Sequence, residues 1–466
     1  MTRAILNNGN LVKKYHNNLV FDYTEYPTKS NWDLEISGAD YKQVLADWLP
    51  KVSNEPVVFY VHTPYCEELC YFCLCSKEIT RDYTKVTNYL DNYLYREIDL
   101  LEQCFESAES YPNVETIYFG GGSPTYYKPK EFESLVAKLG SIINFNKVKN
   151  FTVEIDPRRI DLDRLHFYHR MGVNRLSFGI QDFDPLVQKE INRIQPPELV
   201  ENLLTPEIRK LFPTVAFDLL IGLPKQTPES IATTIDRVIQ IGPDEIQTMY
   251  VHYKPDTRKY MTRMVRNEPM LDFYDRKAVF LEASERLMDA GYVRAGFESF
   301  VRSDSRLAGV MEKKSAIYNS IGTQSDQLRN FLAVGSSAHG ALGEDYYFQN
   351  YYEQRPYRLA LDSGQLPVYR GLKLSKDDIL RRNLICDIRT YFGFGKTRYE
   401  TKYGIEFDQY FQEEYRNLEE FEKDGIVRCT RGGLELTELG IHFAPQVASV
   451  FDKYLKRDLY NKQVPV

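Results

Sequence analysis

Val57-Val58-Phe59-Tyr60-Val61-His62-Thr63-Pro64-Tyr65-Cys66-Glu67-Glu68-Leu69-Cys70-Tyr71-Phe72-Cys73-Leu74-Cys75 joins an apolar, β-branched run to a crowd of thiols: four of the chain's seven cysteines fall inside ten residues. The run has the composition of a buried strand. Cys66, Cys70 and Cys73 follow at C-x-x-x-C-x-x-C spacing, which lets one short loop wrap three soft thiolates around a compact iron-sulfur cluster. Three ligands leave one iron of a four-iron cube open, and an open metal position is where a substrate can chelate. That vacancy fits S-adenosylmethionine, held by its amino and carboxylate groups. The competing readings are structural zinc, a disulfide pair and chance clustering. Zinc sites usually bring two ligand pairs across a long spacer, and disulfides suit small secreted scaffolds, so crowding speaks against the first and chain length against the second.

A second signal lies downstream. The strand-like Thr116-Ile117-Tyr118-Phe119 runs into Gly120-Gly121-Gly122-Ser123-Pro124-Thr125, a turn without side chains on which a ligand can approach the backbone. Alone, a triple glycine reads as a flexible turn. One strand-helix-strand unit after the cysteines, it reads as the wall that receives a cofactor's amino group.

Strand-like runs alternate with helical patterns along the middle of the chain. The runs are Val57–Val61, Thr116–Phe119, Phe151–Ile155, Arg175–Phe178, Val215–Leu220 and Glu245–Tyr250. Amphipathic stretches separate them, among them Tyr83–Cys104, Pro129–Ile143, Asp161–Arg170, Pro185–Ile191 and Pro228–Ile241. Six such repeats predict a parallel α/β sheet, barrel or doubly wound, with its site at the C-terminal strand ends. A long helix is expected over Asp272–Ala290. The tail from Leu374 predicts helices over Lys376–Thr390, Phe407–Lys423 and Glu438–Leu455 around a hairpin turning at Gly432-Gly433, a winged-helix-like pattern. Such a domain is expected to form a lid on the sheet, and residues 1–54 an approach segment covering one end of it.

A chain of 466 residues with 43% hydrophobic residues suits one large domain plus a smaller one. Net charge is −7 with no basic block, which argues against nucleic acid as a partner. Met1–Asn18 lacks a leader's apolar run and no stretch reaches a membrane span's length, so no membrane association and a cytoplasmic location are expected. Most of the 35 tyrosines and 26 phenylalanines are expected in core packing, with some free to wall a flat ligand's pocket.

In these motifs the chain resembles the radical S-adenosylmethionine superfamily and, within it, the oxygen-independent coproporphyrinogen III oxidase family. The resemblance rests on Tyr60 to Cys66, Cys73-Leu74-Cys75 and Gly120 to Thr125. It extends through Val153-Glu154-Ile155-Asp156-Pro157-Arg158, Asn174 to Phe183, Asn192-Arg193 and Phe217 to Thr227. It implies a partial (β/α)6 barrel over residues 55–343, after an N-terminal extension (1–54) and before a mostly helical C-terminal domain (344–466). The implied cofactors are a [4Fe-4S] cluster on Cys66, Cys70 and Cys73 and one or two molecules of S-adenosylmethionine. Gly120, Gly121, Gly122, Ser123, Glu154, Gln181, Arg193 and Asp218 match cofactor-contacting positions.

Cys75, Tyr60 and His62 are the candidate catalytic residues. Cys75 matches a cysteine that does not ligate the cluster yet is needed for activity; its plainer reading is a small buried hydrophobe. The implied reaction is reductive cleavage of S-adenosylmethionine to a 5′-deoxyadenosyl radical, hydrogen abstraction and oxidative decarboxylation of coproporphyrinogen III or a related tetrapyrrole. The implied electron source is a reduced flavodoxin- or ferredoxin-type donor. Two other outcomes stay open: a methyltransferase or cyclopropanase using two S-adenosylmethionines, and a haem or iron-sulfur carrier. Arg158, Arg159, Lys254 and Arg258 are candidates for substrate carboxylates, while Cys104, Cys386 and Cys429 read as core residues.

Three stretches depart from the family pattern. Gly296-Phe297-Glu298-Ser299-Phe300 stands where the family has Gly-Met-Asp-His-Phe. Tyr318-Asn319-Ser320-Ile321-Gly322-Thr323 replaces Asn-Phe-Gln-Gly-Tyr-Thr, and His252-Tyr253-Lys254-Pro255 replaces Ala-His-x-Pro. Cofactor-facing motifs are intact and substrate-facing ones altered.

Overall fold

Strands β1 (Pro56–Thr63), β2 (Asn113–Gly121), β3 (Asn150–Ile155), β4 (Arg175–Gln181), β5 (Thr214–Ile221) and β6 (Glu245–Tyr250) lie side by side, each parallel to the next. The computed structural model describes residues 9–16, 23–32, 34–325 and 328–455, and most of Met1–Asn18 lies outside them.

The alternation along each strand decides which side faces the site. Val57, Phe59 and Val61 of β1, Phe151, Val153 and Ile155 of β3, and Val215, Phe217 and Leu219 of β5 join one apolar cluster with Ile98, Leu135, Leu165 and Ile235 of the intervening helices. Each fully buried aliphatic of this kind contributes roughly 1.5–3 kcal/mol. The alternate residues, Tyr60, Tyr118, Glu154, Ser177 and Asp218, project from the opposite face. That face carries polar side chains, although Val58 on it joins a small apolar cluster with Leu328 and Phe331.

Local signals set the helix limits. Pro228–Ile241 starts at Thr227, whose side chain accepts from the Ser230 amide in a capping box, and stops at Gly242 with φ of 72°. The helix expected over Tyr83–Cys104 runs from Tyr83 to Ser107, with a π-helical turn at Leu90–Leu94 between its two α-helical parts.

The sheet is wider than six strands. Beyond β6 it adds two antiparallel strands, β7 (Tyr292–Arg294) and β8 (Ser299–Arg302), with β8 next to β6. On the other side β9 (Asn330–Val334) pairs parallel with β1, so the parallel run has seven strands. Antiparallel β10 (His339–Leu342), β11 (Tyr346–Asn350) and β12 (Val368–Lys373) follow, with Leu34–Glu35 at the margin. The two ends of this 13-stranded order do not pair, which makes the barrel partial. The expected break between residues 343 and 344 falls inside this sheet, whose last strand ends at Lys373.

From Lys376 the chain builds a second core. Helices Lys376–Tyr391, Phe407–Tyr410 and Gln412–Lys423 enclose Leu384, Ile388, Phe407, Leu418 and Ile426 with a three-stranded antiparallel sheet, Gly393–Gly395, Gly433–Leu436 and Val427–Thr430. The helix expected over Glu438–Leu455 is instead a 3-10 turn, Gly440–Phe443, and a short helix, Ala444–Ser449, because Pro445 has no N–H to continue a preceding turn. Leu11, Val12, Tyr15, Tyr23 and Tyr26 pack into this second core rather than capping the barrel. Tyr15 Oη donates to Asp424, and Tyr23 Oη donates to Asp452 at 3.0 Å.

Candidate active site

The cysteine loop leaves the C-terminal end of β1 and is pinned at its base. Tyr65–Cys66 pairs with Glu78–Ile79, and the Thr80 amide donates to the Cys66 carbonyl at 3.0 Å. Two further bonds hold its middle: the Tyr71 amide to the Ile191 carbonyl (3.0 Å) and Asn192 Nδ2 to the Leu69 carbonyl (2.8 Å).

The sulfurs occupy unequal settings. Cys70 is buried, and two guanidiniums approach its Sγ: Arg193 Nη1 at 3.5 Å and Arg158 Nη2 at 3.6 Å. Burial pushes the Cys66 thiol up to about 12, so ionisation there needs a positive centre such as a metal. The Cys73 thiol is held well below its ordinary value by a bond from Cys75 and by the Lys77 ammonium. Lys77 Nζ donates to the Cys73 and Cys75 carbonyls at 3.2 Å each, and Tyr260 Oη also donates to the Cys73 carbonyl. Cys75 is the solvent-accessible member of the four, its proton retained against the neighbouring Cys73 sulfur.

Among the described residues no three His, Cys, Asp or Glu side chains converge as the ligands of a single ion would. The ligands of a four-iron cube go to separate irons and do not require that convergence. A soft three-thiolate set beside three cations, Arg158, Arg193 and Lys77, fits such a cluster.

The glycine turn closes over the loop. Gly122 and Ser123 amides donate to the Thr63 (2.6 Å) and Tyr65 (2.9 Å) carbonyls, which locks the turn to the segment that carries Cys66. Gly121 has φ of 103° and donates to Glu154 Oε2 at 3.1 Å. A Cβ at Gly121 would lie 2.5 Å from the His62 ring, and one at Gly120 would lie 2.7 Å from Glu154 Oε1. Ser123 Oγ pairs with Thr125 Oγ1 at 2.8 Å.

His62 is buried between Tyr60 Oη (3.2 Å from Nδ1) and the Ser76 carbonyl (2.9 Å from Nε2). Burial pushes it down to about 4, so the ring is neutral at pH 7; the carbonyl can only accept, which puts the proton on Nε2 and lets Nδ1 accept from Tyr60. Burial, then the charge of Glu154, keeps Tyr60 a phenol.

On the polar face of the sheet Glu154 and Asp218 face each other's field. Burial and then Asp218 push Glu154 up to about 8, against bonds from Tyr118 and the Gly121 amide. Burial pushes Asp218 up to about 6, against Arg175 and the Ser177 hydroxyl, which donates at 3.2 Å. Gln181, in the left-handed region at φ 66°, has a buried Oε1 with no hydrogen-bond partner, an acceptor left over for a ligand's N–H or O–H.

Arg193 is placed with the cluster loop. Besides approaching Cys70 it donates to the Gly179 carbonyl (2.7 Å) and Gln195 Oε1 (2.9 Å) and lies 3.6 Å from Asp156. Burial opposes the Asp156 charge, but Arg193 and Arg158 prevail and hold the carboxyl at about 2. Asp156, Lys77, Tyr118 and Ser177 are site residues that the sequence reading misses, although Asp156, Tyr118 and Ser177 lie inside quoted stretches and Lys77 lies two residues past Cys75.

Two of the three arginines expected for substrate are occupied, while Arg258 donates to the Thr257 carbonyl at 3.2 Å. Arg158 pairs with Asp156 (2.7 Å) and Arg159 with Glu67 (2.8 Å) and Glu68 (3.1 Å). Two of the departing stretches meet: Tyr318 Oη donates to Glu298 Oε1 at 2.7 Å, and Glu298 pairs with Arg389 at 3.6 Å, both acid and base buried.

Comparisons with known proteins cover the chain almost completely. The radical SAM superfamily profile matches residues 60–238, and the HemN C-terminal domain profile matches residues 374–443. An oxygen-independent coproporphyrinogen III oxidase of Pseudomonas aeruginosa is 33% identical over 436 residues, 93% of each chain. The Escherichia coli protein of the same description is 32% identical over 440 residues, again 93% of each. The solved structure of the E. coli coproporphyrinogen III oxidase (HemN), described as a radical SAM enzyme, superposes with a TM-score of 0.85 at 30% identity, covering 96% of this chain and 99% of that one. A shared fold, a shared C-terminal domain and this extent of identity place the chain in the oxygen-independent coproporphyrinogen III oxidase family of radical SAM enzymes.

Proposed function

We propose that this radical SAM enzyme carries out the oxidative decarboxylation of coproporphyrinogen III propionates. The observation that carries the reading is the juxtaposition, at one end of the parallel strands, of the three-thiolate loop with the glycine turn locked to it and the orphan acceptor of Gln181. A [4Fe-4S] cluster and S-adenosylmethionine, when bound, supply a carbon-centred radical able to remove a hydrogen atom from an unactivated carbon.

The residues divide the remaining tasks. Cys66, Cys70 and Cys73 would hold the cluster, with Arg158 and Arg193 donating to the Cys70 sulfur. Gly120 to Ser123, Glu154, Gln181 and Asp218 would receive the amine, carboxylate and ribose groups of S-adenosylmethionine, Glu154 giving up its proton as a cation arrives. Arg193, tied to Cys70 and Gly179, would meet that cofactor through its carboxylate, the one group of opposite charge. Tyr60, neutral His62 and Tyr118 wall this space with rings that exclude water. Cys75, exposed and bonded through its thiol to Cys73, is the cysteine outside the ligand set that would face substrate. Such chemistry requires a one-electron donor of flavodoxin or ferredoxin type and a reducing compartment, which we infer to be the cytoplasm; no helix among the described residues is long and apolar enough to cross a membrane.

Anaerobic reconstitution and incubation with coproporphyrinogen III tests the proposal. The expected result is release of 5′-deoxyadenosine with product mass lowered by loss of carbon dioxide. A methylated product would replace the decarboxylase reading with a methyl transfer, and absence of nucleoside would replace both with a carrier.

A further inference from the structure

One small cavity, of about 80 Å³, opens outside the set of residues just assigned. Its walls come from four places in the chain: Tyr23–Tyr26, the Tyr318–Ser320 stretch that departs from the family, strands β9 to β11, and the helix Lys376–Tyr391. It adjoins the site: Phe331 lies in its wall, and the Phe331 ring stands 6.0 Å from that of Tyr60.

Two arginines, Arg329 and Arg382, and one carboxylate, Glu25, line this cavity, and the charges around them do not balance. Arg329, Arg382 and Lys402 all lean on the single carboxylate of Glu344, at 3.9, 3.7 and 3.2 Å. The other acids nearby are already held. Glu25 takes His339 at 2.8 Å and Lys29 at 3.4 Å, and Asp387 takes Arg398 at 3.1 Å and Tyr399 Oη at 2.6 Å. Arg329 Nη1 also donates to Asn383 Oδ1 at 3.0 Å. Arg382 is the informative group: its Nε and Nη2 are buried with no hydrogen-bond partner, its ion-pair distance to Glu344 is too long for one, and its other polar neighbours are the phenols of Tyr347 and Tyr403. A guanidinium with an unused edge, in a cavity with surplus positive charge and aromatic walls, lacks a planar two-oxygen acceptor.

We propose that this cavity seats a carboxylate arm of the substrate, received by Arg382 and flanked by Arg329, while the rings of Tyr23, Tyr318 and Phe331 lie along the arm's apolar body. The proposal rests on the reading of the substrate as a propionate-bearing tetrapyrrole, and it assigns recognition of that arm to the helix Lys376–Tyr391 instead of Arg158 and Arg159 after β3.

The test measures binding of coproporphyrin III, the stable oxidised tetrapyrrole, and of its methyl ester by fluorescence, using reconstituted wild-type, Arg382→Gln and Arg329→Gln proteins checked for cluster absorbance. Each substitution is expected to weaken the free acid by about tenfold to a hundredfold, the worth of one charge-assisted bond, and to leave the ester unchanged. Equal affinities across the three proteins, or equal loss for acid and ester, would overturn the proposal. If wild-type protein ignores coproporphyrin III, the tetrapyrrole reading fails, and carbon-13-labelled glutarate decides the cavity separately. Line broadening of glutarate by wild type that is lost in Arg382→Gln supports a carboxylate seat; no broadening removes it.

Discussion

The guanidinium of Arg193 stands 3.5 Å from the sulfur of Cys70 while its other edge donates to the Gly179 carbonyl, so one side chain ties the fourth barrel strand to the loop that carries the cluster ligands. Replacing Arg193 with Met leaves Cys70 with Arg158 as its only guanidinium partner. The loss of one charge-assisted bond, about 1.5–3 kcal/mol, is expected to lower cluster occupancy. Iron content and visible absorbance after anaerobic reconstitution, compared with wild type at equal iron supply, measure it; undiminished occupancy would show that Arg193 serves only the backbone contact.

Cys66→Ala is expected to abolish both cluster absorbance and 5′-deoxyadenosine release. Cys75→Ala is expected to keep the absorbance, since its sulfur is the accessible fourth of the set. A colourless Cys75→Ala protein would make that thiol a ligand.

Gly121→Ala introduces a Cβ at φ 103° and 2.5 Å from the His62 ring. Strain of about 1–3 kcal/mol is expected, together with the displacement of His62 from Ser76. Because the cysteines themselves are untouched, the variant should retain cluster colour and lose S-adenosylmethionine affinity, read by equilibrium dialysis.

Six parallel strands are legible in the sequence because each is a compact β-branched or aromatic run followed by an amphipathic stretch, and the quoted motifs close those runs. The seventh, Asn330–Val334, is not, since its pairing with β1 links residues 270 or so positions apart and no helix of the repeating unit precedes it. The Cys66 loop and glycine turn are legible as local patterns. Arg382 is not: its cavity exists only after residues 23–26, 317–320 and 339–347 have been folded against one helix. Cys386, which reads as a core residue, belongs to that same wall.

Glu298→Ala removes the carboxylate from a buried cluster in which Tyr318 and Arg389 both address it. Stranding a buried cation costs about 3–5 kcal/mol, so a large fall in the urea midpoint is expected. A midpoint unchanged from wild type would mean that Arg389 relaxes to another acceptor.

Glu97 makes stability depend on pH. Burial raises its carboxyl to about 7 despite bonds from Tyr357, the Gly335 amide and Asn350. Below its unfolded value near 4.5 both states hold the proton and no penalty arises. As pH rises from there, the unfolded chain ionises first, and stability falls until the folded group follows near 7. The loss is on the order of 1–3 kcal/mol, and Glu97→Gln should flatten that part of the profile in urea titrations between pH 5 and 8.

The strand delivering the cysteines is far from either margin of the sheet: five strands separate β1 from one end and seven from the other. Fraying begins at margins, so opening must travel a long way before it loosens Phe59 to Val61. The amides there should be among the slowest in the molecule to exchange with heavy water, which gives an oxygen-sensitive centre a foundation that ordinary breathing of the protein does not disturb.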